Sequence, residues 1–452
     1  MPTLDSHPLT ALLAQEHTTA IAYLTRVAGR HRALGFGQFG VRKEKLSRWK
    51  KSAPEIHAQL AMADLHGIDP EEIYLHPWPD WLRLALRTEA NFWDLPWTVA
   101  GTVEALEDAG GLMDRPGVDR RSLVIAALGT LAATGAHWAA APPTHAAVLR
   151  GPRIGPEAAD LFEDRLKTLR SMDDTLGSSH AYQAATAELE LITRVLKKHT
   201  YSETTQSRLY AAAAETARLA GWCAYDSGHL AIAERRFATA LRASATSGDP
   251  TTGASAIAFW ANLRYAAGDP YGALGLVDRG LQKKQEINSP RVVTMLHARK
   301  ARAHSKAGEA AKAYRAIDAA FDAYAHAGPA EHDLPSMYWM THGEVHEVAA
   351  SCALTLGDPQ RALEHFDAAL HHEDPYDTTA EARGAGIYLA RQAEAHLALG
   401  DLDAALDVAG QALDRLGGAD SARGDSTITD LRRQLARHHK SKAVADFLEL
   451  TA

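Results

Sequence analysis

A run of basic side chains near the start of the chain has the types and spacing needed to hold phosphate groups. Between Arg26 and Lys51 the sequence contains nine Lys or Arg residues and one acid, Glu44. This segment carries a charge of +8, so the rest of the chain carries −16, because the whole chain sums to −8. A positive patch on an acidic body is the asymmetry expected of a nucleic-acid-binding head. A solvated helix face with no partner would give the same charge run, and this alternative stays open.

The centre of the basic run, VRKEKLSRWKK at residues 41–51, is patterned as a helix. Val41, Leu46 and Trp49 are spaced to face a core, so the charged side chains between them face outward. Outward cations on such a helix can hold phosphates or read bases in a groove. The predicted DNA-binding residues are Arg42, Lys43, Lys45, Ser47, Arg48, Lys50 and Lys51.

Two further helices are predicted beside the basic segment, over residues 17–34 and 55–66. The first places apolar side chains at helical spacing, namely Ile21, Leu24, Val27 and Ala28. Glycines follow it and Pro54 precedes the second, so both helices have clear ends. These elements together predict a helical head over residues 1–80.

A metal or catalytic site is a weaker possibility. His342 and His346 lie four residues apart with Glu344 between them, but their order is not that of an HExxH metalloprotease and no third ligand is evident. The chain contains no phosphate-binding glycine loop and no nucleophile motif. We therefore expect no metal, no cofactor and no enzymatic activity.

A repeat dominates the second half of the chain. Five glycines recur at intervals of 40, 40, 49 and 43 residues: Gly228, Gly268, Gly308, Gly357 and Gly400. Five residues after each Gly stands an Ala: Ala233, Ala273, Ala313, Ala362 and Ala405. Seven residues before each Gly stands another small residue: Gly221, Ala261, Ala301, Ala350 and Ala393. This is the pattern of tetratricopeptide repeats (TPR), in which two helices cross closely beside a short turn.

One such hairpin cannot bury its apolar face alone, so the units must stack. The pattern predicts an all-α chain with a TPR-like α-solenoid, a right-handed superhelix of five to six hairpins, over residues 151–452. Residues 172–199 are predicted to form one more, degenerate hairpin. The intervals exceed the usual repeat length, which indicates longer helices or longer loops between hairpins.

A superhelix of hairpins has a concave face, which the second, fifth, ninth and twelfth residues of each first helix should line. The predicted groove residues are Glu215, Arg218, Trp222, Tyr225, Asn262, Tyr265, Arg302, Glu344 and Glu347. The Asn262 amide can pair with a peptide backbone, and Trp222 and Tyr225 can form an apolar wall. We expect a peptide or protein segment as the ligand. Alternatively, these groups satisfy only the polar atoms of their own hairpins.

Between head and array, residues 81–150 are predicted to be a helical linker. Residues 122–141 contain no charged side chain, but their many Ala and Thr residues make a membrane span unfavourable. We predict a buried helix there and no membrane partner. The first residues lack the basic and apolar regions of a signal peptide, so we expect a cytoplasmic protein.

Residues 41–68, VRKEKLSRWKK followed by Pro54 and AQLAMADLHGI, resemble the second half of a Cro/repressor-type helix-turn-helix domain. The resemblance implies that the helix containing Lys45 to Lys50 is the recognition helix. Three features depart from that pattern. LGFGQFG replaces the short helix before the turn, Arg42 replaces a Ser or Thr, and Lys50 replaces an acid. The two basic replacements raise the affinity for phosphate.

Nearly the whole chain resembles the actinobacterial, Streptomyces-type helix-turn-helix/TPR regulators of differentiation and antibiotic production. The run HPWPDWL at residues 76–82 and the segment at 219–241 are typical of them. The resemblance implies a transcriptional regulator whose head binds DNA and whose array senses a peptide or protein ligand, and we expect a homodimer. The alternative is a TPR adaptor whose head no longer reads DNA and which mediates protein–protein interaction.

Overall fold

The fold is all-helical wherever the structure, a computed structural model, describes the chain. The described residues are 7–15, 18–66, 68, 70, 72–75, 77–82, 92–111, 126, 128–141, 151–379, 382–416 and 421–450. Within them the single extended pairing is an isolated bridge between Arg153 and Thr200. None of the helices described is both long and apolar enough to cross a membrane.

The chain divides into two compact units. The first comprises Met1–Leu95 with Gly111–Val124, and the second comprises Pro96–Gly110 with Ile125–Ala452. Two segments of the predicted linker therefore belong to the same unit as the repeats.

The first unit contains α1 (Pro8–Gln15), α2 (Ala20–Ala33), α3 (Glu44–Trp49), α4 (Ile56–Leu65) and α5 (Glu72–Leu75). Leu24, Val27, Leu46 and Trp49 are buried in one apolar cluster, as the spacing predicted. Ile21 and Val41 are exposed, so their predicted inward placement is wrong. The buried face of α2 runs through Tyr23 instead, and Val41 precedes α3, where helical spacing does not apply.

The second unit contains the five predicted hairpins. They are α10 (Glu203–Asp226) with α11 (Leu230–Ser247), α12 (Pro250–Ala266) with α13 (Pro270–Gln282), α14 (Pro290–Lys306) with α15 (Ala310–Tyr324), α16 (His342–Thr355) with α17 (Pro359–His371), and α18 (Ala382–Ala398) with α19 (Leu402–Leu416). Every predicted turn glycine has a positive φ, between 74° and 87°. Only glycine adopts that region freely, which explains the strict recurrence.

The small residues of the repeat lie where paired helices cross. All five of the predicted alanines on the second helices have no exposed surface. A Cβ added at Gly221 would lie 2.9 Å from Cε1 of Phe237, so the helices approach too closely for a larger side chain. The predicted mechanics of the hairpins are confirmed.

Further helices extend the array at both ends. Before the repeats stand α8 (Glu157–Leu176) and α9 (Ser178–Lys198), and after them stand α20 (Ala422–Leu435) and α21 (Lys442–Leu450). The predicted extra hairpin over 172–199 exists but begins at Glu157. Its turn is Gly177, with φ 89°, and Met172 lies inside α8.

Two helices from the predicted linker pack on the outer array. α6 (Val99–Gly111) lies on α11, where the Arg235 guanidinium pairs with Asp108 at 2.9 Å. α7 (Leu128–Ala140) packs on α13, and its Trp138 indole donates to Ser244 Oγ at 3.2 Å. Only one face of α7 is buried, so the buried helix predicted over residues 122–141 is half-buried in its described part, and residues 122–125 and 127 lie outside the described residues.

The longest repeat interval is a loop rather than longer helices. Residues 325–341 follow α15 and form two short 3₁₀ turns, Ala330–His332 and Pro335–Met337. Arg291 holds this loop, because its Nη1 donates to the Gly328 carbonyl at 2.8 Å and its Nε donates to the Met340 carbonyl at 3.1 Å. The loop thereby carries Trp339 to Phe259, with ring centroids 6.1 Å apart.

Candidate functional site

The basic surface of the first unit consists of the seven predicted DNA-binding residues. Six of them are exposed: Arg42, Lys43, Ser47, Arg48, Lys50 and Lys51. Lys45 is partly buried, and its ammonium lies 3.6 Å from the centroid of the Phe39 ring. Burial is the main cause that lowers the pKa of Lys45. All seven residues except Ser47 are cations. Among the described residues, no carboxylate forms an ion pair with any of these six cations.

A set of indole hydrogen bonds fixes the end of α3 that follows the basic surface. Trp78 Nε1 donates to the Trp49 carbonyl at 2.8 Å. Trp81 Nε1 donates to Gln59 Oε1 at 2.9 Å, and Gln59 Nε2 donates to the Pro54 carbonyl at 2.8 Å. The run PWPDWL therefore braces α3 against the core, which explains its aromatic composition.

The segment between α2 and α3 is not helical. Residues 36–42 have no regular secondary structure, and both Gly35 and Gly37 have positive φ, 80° and 82°. The short helix that a Cro/repressor-type domain has before its turn is therefore missing from this part of the described chain.

The main candidate ligand site is a cavity of about 430 Å³ inside the second unit. We call it the chamber, and its lining comes from all five hairpins, the loop at 325–341 and α20. Six of the predicted groove residues line it: Trp222, Tyr225, Asn262, Tyr265, Arg302 and Glu344. A volume in this range is typical of small-molecule sites.

The other three predicted groove residues lie outside the chamber lining. Arg218 and Glu215 form a buried pair at 3.4 Å, and the Arg218 guanidinium covers the Phe259 ring from 4.5 Å. Glu347 lines a second cavity of about 400 Å³, together with Tyr388 and Arg415. Burial raises the pKa of Glu347 well above its usual value.

The lining follows a regular register in the first helix of each hairpin. Six residues before the turn glycine, the lining residues are Trp222, Asn262, Arg302 and Ser351. Nine residues before it, they are Phe259, Arg299, Val348 and Arg391. We predicted instead that the fifth residue of each first helix would line the groove, and this residue is the tenth before the glycine. One residue turns a helix by about 100°, so that position points away from the chamber.

Cations outnumber carboxylates in the chamber wall. The lining cations are Arg299, Arg302, Lys306, Arg383, Arg391 and Arg423, and the lining acids are Glu344 and Asp430. Arg383 and Arg423 form ion pairs with Asp226 behind the wall, at 3.4 and 3.5 Å. For the other four cations, no described carboxylate lies at ion-pair distance.

The four cations without ion pairs differ in surroundings. Arg302 is held by neutral acceptors, the Ser351 carbonyl at 2.6 Å and Thr355 Oγ1 at 3.1 Å. Burial, followed by the charge of Arg302, lowers the pKa of Arg391. Lys306 is exposed at the edge. A wall of this kind favours the entry of negative charge.

Glu344 is the buried acid in this wall. Its Oε1 accepts a hydrogen bond from the Tyr388 hydroxyl at 2.9 Å. Burial raises the pKa of Glu344 to about 7, and the Arg299 guanidinium only partly opposes this shift. The wall therefore contains a carboxyl group that gains or loses its charge around neutral pH.

Aromatic rings form the rest of the wall. Trp222 and Phe259 meet edge to face with centroids 5.1 Å apart, and Phe259 meets Trp339 in the same way. The Arg423 guanidinium lies 4.6 Å from the centroid of the Trp222 ring. The predicted aromatic wall is thus present and larger than expected.

Polar atoms of three side chains in the lining lack hydrogen-bond partners, although Arg299 also hydrogen-bonds to Tyr265. Arg299 Nε and Ser351 Oγ are buried without a partner. No described residue forms a hydrogen bond with the Asn262 amide, which is 7% exposed. The alternative, that Asn262 only satisfies its own hairpin, would require such a bond.

Contacts between the two ends of the array surround the chamber. Arg383 of α18 pairs with Asp173 of α8 at 3.1 Å. Ser421 Oγ, at the start of α20, donates to Asp226 Oδ1 at 3.0 Å. These residues are separated by about 200 positions in the chain. Residues from both ends of the array therefore meet beside the chamber.

The predicted histidine pair lies elsewhere, between α16 and α17. His346 Nδ1 is 2.9 Å from His365 Nδ1, and the His342 ring stacks on His372 with centroids 3.6 Å apart. In the described part of the chain, no group of three or more ligand side chains has the geometry to hold a metal ion.

Several chamber residues were not predicted from the sequence. Arg299 and Arg391 stand nine residues before their turn glycines, so counting back nine residues from each glycine would have identified them. Trp339 lies in an inserted loop and Arg423 lies after the last repeat. Neither residue belongs to the repeat, so the repeat pattern could not predict them.

No protein-family model matches this chain, and no curated protein matches it significantly. The resemblance to helix-turn-helix/TPR regulators therefore stays a prediction. The choice of function rests on the basic surface and the chamber.

Proposed function

We propose that this protein is a transcriptional regulator, in which the first unit is a degenerate helix-turn-helix head that binds DNA. The second unit is then a TPR-like right-handed superhelix that senses a peptide or protein ligand on its concave side. A ligand in the chamber would shift the population between two arrangements of the array and so change DNA binding.

The observation that supports DNA binding is the basic surface. Its exposed cations lie on one short segment whose opposite side is fixed by Leu46 and Trp49. No described carboxylate pairs with them, so their charge is available to phosphates. Lys45 is the exception, because it stacks on Phe39 and is partly withdrawn.

A salt series tests this assignment. Replacing Arg42, Lys43 and Arg48 by Ala should weaken binding to duplex DNA of any sequence. It should also lower the slope of log affinity against log salt by about 2–3, because each phosphate contact contributes about 0.9 to the slope. All three side chains are exposed, so the fold should be unaffected.

The matched control removes three exposed cations from the second unit. Arg315, Arg437 and Lys440 are exposed, and their replacement by Ala changes the net charge equally. The control should retain the wild-type slope. Equal slopes for both triple variants would reject the basic surface as the DNA contact.

One observation favours the second candidate, an adaptor that binds proteins and not DNA. The irregular segment at residues 36–42 stands in place of the helix that normally supports a recognition helix. In that case the first unit should show no DNA affinity above that of any basic surface, and its binding should vanish at physiological salt.

A further inference from the structure

We infer that the chamber binds a compact anionic small molecule, one whose carboxylate or phosphate group is attached to a flat ring. This inference rests on the proposed function only in that the array senses a ligand, and it replaces the peptide or protein segment proposed above by a small molecule. Four features of the chamber support it: charge, unpartnered donors, aromatic walls and bounded length.

The excess of cations in the wall favours an anionic ligand. Arg299 and Arg302 are 7% and 3% exposed, and no described carboxylate pairs with either. Arg391 lines the same chamber from α18. Buried charges are costly unless they are paired, and the protein pairs the neighbouring Arg383 and Arg423 with Asp226. Glu344 acts on Arg299 only from beyond ion-pair distance, so an anionic ligand would provide a direct partner for both arginines.

The unpartnered donors show where the anionic group would bind. Arg299 Nε and Ser351 Oγ are both buried without a partner, and both belong to chamber-lining residues. Ser351 is on α16, and its own carbonyl accepts from Arg302. Guanidinium and hydroxyl donors together form charge-assisted hydrogen bonds to carboxylate or phosphate oxygens.

The aromatic wall accounts for the second half of the ligand. Trp222, Phe259 and Trp339 form a continuous edge-to-face series, with neighbouring centroids 5.1 and 6.1 Å apart. A flat ring can stack on such a surface while its anionic group reaches the arginines. Asn262, on the same wall, supplies an amide for a polar atom of the ring.

The bounded length of the site favours a compact ligand over an extended chain. Trp339 comes from the loop at 325–341 and Arg423 comes from α20, yet both line the same chamber as the first hairpin. An extended peptide requires a groove that continues past both ends. A cavity of about 430 Å³ holds a ligand of drug size.

The test compares two fluorescent probes that share one ring system. The full-length protein is titrated with 8-anilinonaphthalene-1-sulfonate, which is anionic, and with N-phenyl-1-naphthylamine, which lacks the sulfonate. The anionic probe should saturate at one site and bind at least about tenfold more tightly. Equal affinities for the two probes would overturn the inference.

Charge-removing variants locate the site. Arg299→Gln and Arg391→Gln should each weaken the anionic probe by about tenfold to a hundredfold, since each removes a charged hydrogen bond. Arg315→Gln is the control, because Arg315 is exposed on α15, the partner helix of the one that carries Arg299. Wild-type affinity in both chamber variants would overturn the assignment.

A further variant tests the inference even if the arginine variants do not fold, because it should strengthen binding of the anionic probe. Glu344→Gln keeps the shape of the side chain and can still accept from Tyr388. At pH 8 it should bind the anionic probe about threefold to tenfold more tightly than the wild type, whereas at pH 6 the two should be similar. No gain at pH 8 would contradict an anion bound beside this carboxyl group.

Displacement distinguishes a small molecule from a peptide. Benzoate or adenosine 5′-monophosphate should displace the anionic probe, and an octapeptide amide without acidic residues should not. Displacement by the peptide amide alone would overturn the inference in favour of an extended ligand. The salt slope of DNA binding is measured on the same preparation and does not depend on these results. If the protein binds DNA but does not prefer the anionic probe, only the proposed class of ligand is rejected.

Discussion

Individual imidazole groups near α16 make the stability of the second unit sensitive to pH. The His346 ring packs against the rings of His342 and His365, and His342 in turn stacks on His372. Burial, followed by the charges of these neighbours, lowers the pKa of His346 to about 4. An unfolded chain would bind the same proton near pH 6.5.

Acidification should therefore favour unfolding. Above about pH 6.5 His346 is unprotonated in both the folded and the unfolded state, so it does not affect the free energy of unfolding. As the pH falls from 6.5 towards 4, only the unfolded state gains the proton, so the folded state becomes less stable. We expect a loss of about 1–2 kcal/mol between pH 7 and pH 5, after allowance for the partial exposure of the ring. His346→Gln should remove most of this loss in urea titrations at the two pH values.

The control for this prediction is His326→Gln, because His326 is exposed and hydrogen-bonds only its own helix. It should leave the pH dependence unchanged. Identical curves for His346→Gln and the wild type would contradict the role assigned to this residue.

Also at the residue scale, the chamber lining shows how far a repeat pattern predicts side-chain direction. Trp222, Asn262 and Arg302 were predicted because they lie six residues before a glycine whose φ the turn dictates. Arg299 was missed, since a helix places its ninth and tenth residues on different faces and composition alone does not fix the rotation. The charge of the wall, which matters most for the proposed ligand, depends on that rotation.

The helices themselves were predictable because their boundaries depend on local chemistry. Glycine turns, small residues at the crossings and caps such as Ser202 and Asp249 all act within a few residues. The loop at 325–341 was not predictable in this way. Its position depends on Arg291, which lies more than 30 residues away from the Gly328 carbonyl that it binds.

A pair of glycine substitutions tests the packing between elements. A Cβ at Gly343, in the first turn of α16, would lie 2.1 Å from the Tyr376 backbone nitrogen and 2.6 Å from the Ala369 carbonyl oxygen. Backbone atoms cannot move aside as a side chain can, so Gly343→Ala should cost about 1–3 kcal/mol or more. The free energy of unfolding from urea titrations measures the cost.

Gly410→Ala is the matched comparison. Gly410 lies inside α19 and a Cβ there would meet no atom within 4 Å. Alanine should therefore stabilise the protein by about 0.5–1 kcal/mol, through helix propensity alone. The two variants should shift stability in opposite directions, and a shift of the same sign would show that the packing around α16 differs from that described.

On the scale of the second unit, closure of the array depends on a small number of buried ion pairs. Arg383 contacts both Asp173 and Asp226, and these carboxylates are 5% and 0% exposed. Arg383→Met would leave buried charge without its main partner, which typically costs about 3–5 kcal/mol. Thermal unfolding should show a markedly lower midpoint.

An exposed pair provides the contrast. Arg433 and Asp430 pair at 2.6 Å, but their side chains are 67% and 53% exposed. Arg433→Met should change stability by no more than about 1 kcal/mol. Similar losses in both variants would mean that the contacts between the ends of the array do not hold it closed.

The meeting of the two ends also has a consequence for synthesis on the ribosome. The wall containing Trp222 is translated about 200 residues before Arg423, which stacks on it. At typical elongation rates of about 5–20 residues per second, the earlier part waits about 10–40 s for its partner. During that interval the nascent hairpins can stack on their neighbours, but the chamber does not yet exist. The wall of the chamber is therefore complete only after Arg423 has left the ribosome and reached Trp222.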